Sequence, residues 1–133
     1  MNICICLQLY VRGSIEAVEF YKKAFGGFLG AAHFFQDGTP EDGYHHAEIK
    51  VGERTVLALC ENERYTSGVA TGHPIMQFNI SGLETKEAVL QAYRVLSEGA
   101  VENENPDGPV ALPWNEYCFT LIDKYNIWWW IAI

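Results

Sequence analysis

Two histidines and a glutamate crowd one short stretch of this chain, G-Y-H-H-A-E-I-K-V at positions 43–51. Histidine is the usual metal ligand and proton shuttle of proteins, and a carboxylate beside it extends both uses. Spacing limits what they can do together. In an extended strand neighbouring side chains point to opposite faces, so His45 and His46 cannot chelate one ion as a pair. His46 and Glu48 do share a face, about 6.5–7 Å apart along the strand. Lys50 follows them there, while Ala47, Ile49 and Val51 make the opposite, apolar face. The trio suits three chemistries: an acid/base pair, a metal held with outside help, or a polar lining salt-bridged by Lys50 or Arg54. The residues alone leave all three open.

Something must position these groups, and the order of elements is legible. I-C-I-C-L-Q-L-Y-V (3–11) alternates apolar Ile3, Ile5, Leu7, Leu9 and Val11 with Cys4, Cys6, Gln8 and Tyr10, the period of a strand. Ser14 is expected to cap a helix carrying Ile15, Val18, Tyr21 and Phe25 at helical spacing and ending at Gly26-Gly27. Strands are expected at 28–35, 44–51 and 54–60, separated by the turn cluster D-G-T-P-E-D-G and by a two-residue G-E hairpin. The second half repeats this order: a strand over 74–80, a helix from Leu83 to Ser97, then strands at 100–104, 116–122 and 127–133, with P-D-G-P and D-K-Y-N as turns. A repeat of element order across a whole chain implies paired modules. The expectation is one domain over 1–133, with modules at 1–64 and 74–133 and a linker at 65–73.

The chain has 133 residues, 49% of them hydrophobic, and a net charge of -8. That is enough apolar material for a core. The negative charge, with no basic cluster to break it, argues against nucleic acid and against anionic membrane surfaces. No apolar run reaches the roughly 20 residues a bilayer span needs. The apolar N-terminus lacks a basic region and a cleavage site, so no signal peptide is read there. Cys4, Cys6, Cys60 and Cys118 form no paired motif and read as reduced thiols in a cytoplasmic protein.

Four stretches carry a resemblance. A-V-E-F-Y-K-K-A-F-G (17–26), H-A-E-I-K-V-G (46–52), L-S-E-G-A-V (96–101) and Y-C-F-T-L-I-D-K-Y-N-I-W-W (117–129) resemble, in order, segments of the vicinal oxygen chelate superfamily. This is the superfamily of glyoxalase I, extradiol dioxygenases and bleomycin-resistance proteins, and the matches point to its PhnB-like branch. Asn115 and Asn126 stand where that branch usually has glycine. The resemblance implies an α+β fold in which two βαβββ modules form a cupped mixed sheet, with helices on the convex face and a cavity within. Metal-dependent members hold their ion with one ligand from the first and last strand of each module. Counting from shared landmarks, those positions fall here on Cys6, Ala58, Ile75 (with His73 just outside) and Trp130. Only Cys6 of these four could ligate, so no metal and no cofactor are expected. The methyltransferase label borne by some PhnB-like proteins finds no Gly-rich cofactor loop here.

The same face logic gives the expected cavity lining: Cys4, Cys6, Gln8 and Tyr10, then His46 and Glu48, Gln77 and Asn79, and Trp128 and Trp130. Trp114 and Tyr117 of the loop P-W-N-E-Y are expected to close over them. An aromatic pocket with a few amides suits a small aromatic or amphipathic organic molecule. The expected function is a metal-independent binder of such a ligand. The alternative is a lyase or isomerase with Glu48 as base and His46 as its partner, or with both as recruited metal ligands. The apolar W-W-W-I-A-I terminus is expected either in the core or at a homodimer interface.

Overall fold

The structure is a computed structural model that describes residues 5–62 and 73–133. The expected linker, apart from His73, lies outside the described residues, as does Cys4. The chain divides into two compact units, the first comprising residues 5–22 and 26–62 of those described, the second 23–25 and 73–133. No described helix is long and apolar enough to cross a membrane.

The first unit runs β1 (Leu7–Val11), α1 (Ser14–Phe25), β2 (Phe28–Phe34), β3 (Tyr44–Val51) and β4 (Arg54–Glu61). Its sheet has the order β1-β4-β3-β2, with β1 parallel to β4 and the rest antiparallel. Alternation puts Leu9, Val11, Ala47, Ile49, Leu57 and Leu59 on the buried face. On α1, Ala17, Val18, Tyr21 and Ala24 recur at helical spacing and are buried too. Of the strand expected over 3–11, the described part pairs from Leu7, opposite Leu57, with Ile5 and Cys6 ahead of it and Ile5 exposed.

Ser14 does not cap α1. Gly13, at φ 71, is the capping residue and Ser14 the first helical one. The Glu61 carboxylate of β4 instead accepts from Gly13 N, Ser14 N and Ser14 Oγ, each at 3.0 Å. Tyr44 N in turn donates to Ser14 Oγ at 2.8 Å. A side chain from a strand thus satisfies the orphan donors of a helix start, which no local motif announces. Gly43, at φ 83, leaves the space Glu61 needs, since a Cβ there would collide with its carboxylate.

The second unit runs β5 (Gln77–Ile80), α2 (Lys86–Leu96), β6 (Glu102–Asn103), β7 (Val110–Leu112), β8 (Asn115–Ile122) and β9 (Trp128–Ala132). Its sheet order is β5-β9-β8-β6, with β7 also paired to β8. Thr85 caps α2, its side chain accepting from Ala88 N at 3.1 Å. The helix packs on β8 and β9, with Tyr93 edge-on to Phe119. Strand β7 was not expected. P-D-G-P interrupts the edge strand rather than ending it, and Val110–Leu112 resumes pairing with β8 beyond the loop. Across the gap the Asn105 side chain accepts from Thr120 N at 2.8 Å, standing in for the missing ladder bond.

The C-terminal W-W-W-I-A-I is not a free apolar end. It forms β9, an interior strand, with Trp129, Ile131 and Ala132 fully buried. The α+β class, with strand–helix–strand modules built on mixed sheets, is as the sequence implied.

Candidate functional site

On the first unit's sheet the face opposite the apolar core collects the groups singled out in the sequence. His45 points away from His46 and stacks on Phe35, ring centroids 4.8 Å apart. His46 and Glu48 meet on the other face, His46 Nε2 to Glu48 Oε1 at 3.2 Å. Thr55 Oγ1 donates to the second carboxylate oxygen at 3.3 Å. Thr55 reaches it because the β3–β4 register shifts between Ile49 and Lys50. That shift has no signature in the residue pattern, and the reading of the sequence missed Thr55. Glu48 is held below the ordinary carboxylate range, first by the hydrogen bond from His46, then by Thr55 and the nearby Lys50 charge, against an opposing desolvation.

The register explains the shape around this pair. Gln8 pairs Ala58, which pairs Glu48, and Tyr10 pairs Cys60. Two rows of longer side chains, Gln8 and Tyr10 on β1 and His46 and Glu48 on β3, therefore flank the short Ala58 and Cys60 of β4. Adjacent strands lie about 4.8 Å apart, so the rows stand roughly 10 Å apart over a low floor. Gln8 leans across that floor, its amide donating to Cys60 Sγ at 2.9 Å and to the Tyr10 hydroxyl at 3.3 Å. Lys50 lies along Gly30, where a Cβ would stand 3.0 Å from the lysine stem. Cys6, exposed before β1, has its thiol pushed up by partial burial and by the Glu48 charge, so it stays protonated.

The second unit presents an aromatic face. Gln77 pairs Trp128 and Asn79 pairs Trp130. Trp128 and Trp130 are half-buried on the face opposite Trp129, which lies in the core. Trp130 hydrogen-bonds Cys118, while burial dominates and raises that thiol. Two residues outside the expected set join them. His73 sits edge-on to Trp128 at 4.6 Å, and its Nε2 lies 3.7 Å from a carboxylate oxygen of Glu102. Glu102 is brought there by its pairing with Ile122, itself paired to Trp128.

The two expected lid residues lie on β8 and in the turn before it. Tyr117 alternates with Phe119 and Leu121 on the helix side of β8, under the ammonium of Lys86 from α2 at 5.8 Å. One residue of strand parity separates it from the Trp128/Trp130 face. Trp114 sits 73% exposed in the turn between β7 and β8, at the tip of a hairpin.

The positions that would hold a divalent cation do not fit one. Alanine, isoleucine and tryptophan offer no donor at Ala58, Ile75 and Trp130, which leaves the single thiol of Cys6. Among the described residues no three His, Cys, Asp or Glu side chains converge.

No protein-family model and no curated protein sequence matches this chain. Solved structures do match its fold. Protein PA1353 of Pseudomonas aeruginosa superposes with a TM-score of 0.73 at 20% identity, over 98% of this chain and 97% of its own. A PhnB protein from Bacillus cereus gives 0.69 at 18%, over 99% and 98%. A glyoxalase/bleomycin resistance protein/dioxygenase superfamily member from Sphaerobacter thermophilus gives 0.59 at 16%, over 99% and 97%. The chain has the vicinal oxygen chelate fold, with PhnB-like structures among its neighbours. At these identities the likeness carries the architecture and no specific activity.

Proposed function

We propose that this protein binds a small aromatic or amphipathic organic molecule without a metal ion. The observation that carries the reading is the composition of the two solvent-side sheet faces. One sets Trp128 and Trp130 beside the amides of Gln77 and Asn79; the other sets Gln8, Tyr10, His46 and Glu48 around a floor of Ala58 and Cys60. Half-buried indoles supply flat apolar area, and fixed amides supply direction, the combination that small-molecule sites use. Cys6 stands ahead of β1 at the edge of this set, and Tyr117, on the helix side of β8, is left out of it.

A screen of planar aromatic acids, amines and amphiphiles by thermal shift tests the reading, with hits followed by quenching of tryptophan fluorescence. A true ligand raises the melting temperature and loses affinity about tenfold or more in Trp130→Ala, as expected for losing an aromatic contact. No hit, or hits of unchanged affinity in both Trp128→Ala and Trp130→Ala, would sink it.

The reading includes a homodimer. Edge strand β2 carries no Lys, Arg, Asp, Glu or Pro, and its Phe28 and Phe34 are 51% and 44% exposed. Such an edge is unprotected against pairing. Antiparallel pairing of two copies about Ala31 would close it with a twofold axis, setting Phe28 against Phe34.

A further inference from the structure

We propose that the second unit carries a subsite for a flat organic cation, an aromatic ring bearing an ammonium group, between Trp128 and Glu102, and that the ligand's nitrogen takes the place His73 fills. The inference rests on the binding reading and narrows it to one charge class on one sheet face.

Strand pairing builds the subsite. Trp128 pairs Ile122, which pairs Glu102. Two residues along, Trp130 pairs Thr120, whose carbonyl accepts from Glu104 N at 3.2 Å. Paired residues share a face, so an indole row on β9 and an acidic edge at β6 stand either side of the shorter Ile122 and Thr120. Adjacent strands lie about 4.8 Å apart, which sets the two walls roughly 10 Å apart and leaves room for one ring between them.

His73 shows what this gap accepts. Its ring stands edge-on to Trp128, centroids 4.6 Å apart at 85°, and its Nε2 lies 3.7 Å from Glu102 Oε2. Its Nδ1 lies 2.7 Å from the Pro74 carbonyl oxygen, which can only accept, so Nδ1 carries a hydrogen. A bare lone pair on Nε2 would then face the carboxylate, acceptor against acceptor. Only a ring with a hydrogen on each nitrogen satisfies both neighbours, and that ring is a cation.

The charges around the face favour the same sign. None of the strands β5 to β9 carries a lysine or arginine. Among the described residues of this unit, Lys86 and Arg94 lie on α2, engaged with the Tyr117 ring and with Glu87. Lys23 is on α1, and Lys124 sits in the β8–β9 turn against Gly99. The electron-rich faces of the indoles and the Glu102 carboxylate both attract a cation, and the net charge of -8 adds a field of the same sense. The Glu102 and His73 side chains are 54% and 49% exposed, so solvent screens these contacts and the preference is about tenfold rather than absolute.

The test is isothermal titration of the full chain with three probes that share one ring system: naphthylmethylammonium, naphthylmethanol and naphthoate, each substituted at the same ring carbon. The ammonium should bind about tenfold tighter than the alcohol, and the carboxylate weakest. Glu102→Gln should cut the ammonium's advantage to about threefold or less, the part the indoles supply. His73→Ala leaves the gap open at all times and should tighten the ammonium about threefold or more. Circular dichroism confirms that both variants fold, and the probe series on the wild type decides the charge preference without them. An alcohol or carboxylate bound as tightly as the ammonium overturns the proposal while leaving the binding reading intact. So does an advantage undiminished in Glu102→Gln, or no tightening in His73→Ala. Binding of none of the three probes refutes both.

Discussion

Replacing Asp123 should unlock the β8–β9 hairpin that presents Trp128 and Trp130. Asp123 is fully buried and accepts from Trp129 Nε1 at 2.8 Å, from Tyr125 N at 2.8 Å and from Ile127 N at 3.1 Å. In Asp123→Ala the indole N–H, buried with Trp129 at 0% exposure, loses this acceptor. An orphaned buried donor costs about 1–3 kcal/mol, and the two turn amides, which water can partly reach, add about 0.5–1.5 each. The expected loss is therefore about 2–6 kcal/mol, a large share of the roughly 5–15 kcal/mol typical of a domain. Asp123→Asn should cost less, because one amide oxygen remains, but its NH2 must then face either the indole N–H or the turn amides. Urea unfolding followed by circular dichroism measures these differences. A double-mutant cycle with Trp129→Phe, which removes the N–H and keeps an aromatic ring, should return a coupling of about 1 kcal/mol or more between positions 123 and 129. A loss below about 1 kcal/mol in Asp123→Ala, or no coupling in the cycle, would refute the reasoning.

Ser14→Ala removes the acceptor for Tyr44 N and a donor to Glu61; a loss of about 1–3 kcal/mol is expected in urea unfolding. Glu48 titrates lower in the folded protein than the roughly 4.3 of an unfolded glutamate. Its contribution to stability is therefore present above about pH 4.3 and lost as pH falls through the folded value. The melting-temperature gap between wild type and Glu48→Gln should accordingly narrow on acidification below pH 5, and a gap that widened there would contradict the assignment. Phe34→Lys, placing a charge on the β2 edge, should shift light-scattering mass from dimer toward monomer; a wild-type monomer would remove the dimer from the reading.

Local pattern carried much of this. Period-two alternation put Ala47 and Ile49 in the core and His46 and Glu48 together on the other face. It did the same for Trp129 against Trp128 and Trp130. Asn126, standing where the PhnB-like branch has glycine, adopts φ 65 as a left-handed turn residue. Failures came where register or distant partners decide. Strand parity alone moved Tyr117 to the helix side of β8, because the expected lid loop is in fact a two-residue turn followed by regular strand.

The α+β class, the helix starts and ends to within a few residues, and the facing of β3 and β9 were determined by the sequence itself, since each depends on a period of two or 3.6 and on nearby turn residues. The tertiary structure alone decided that Thr55 anchors Glu48 through a register shift, that Glu61 caps α1 from 47 residues away, and that His73 and Glu102 join Trp128. These are contacts between segments far apart in the chain, and their geometry is set by how strands pair, which no local pattern encodes.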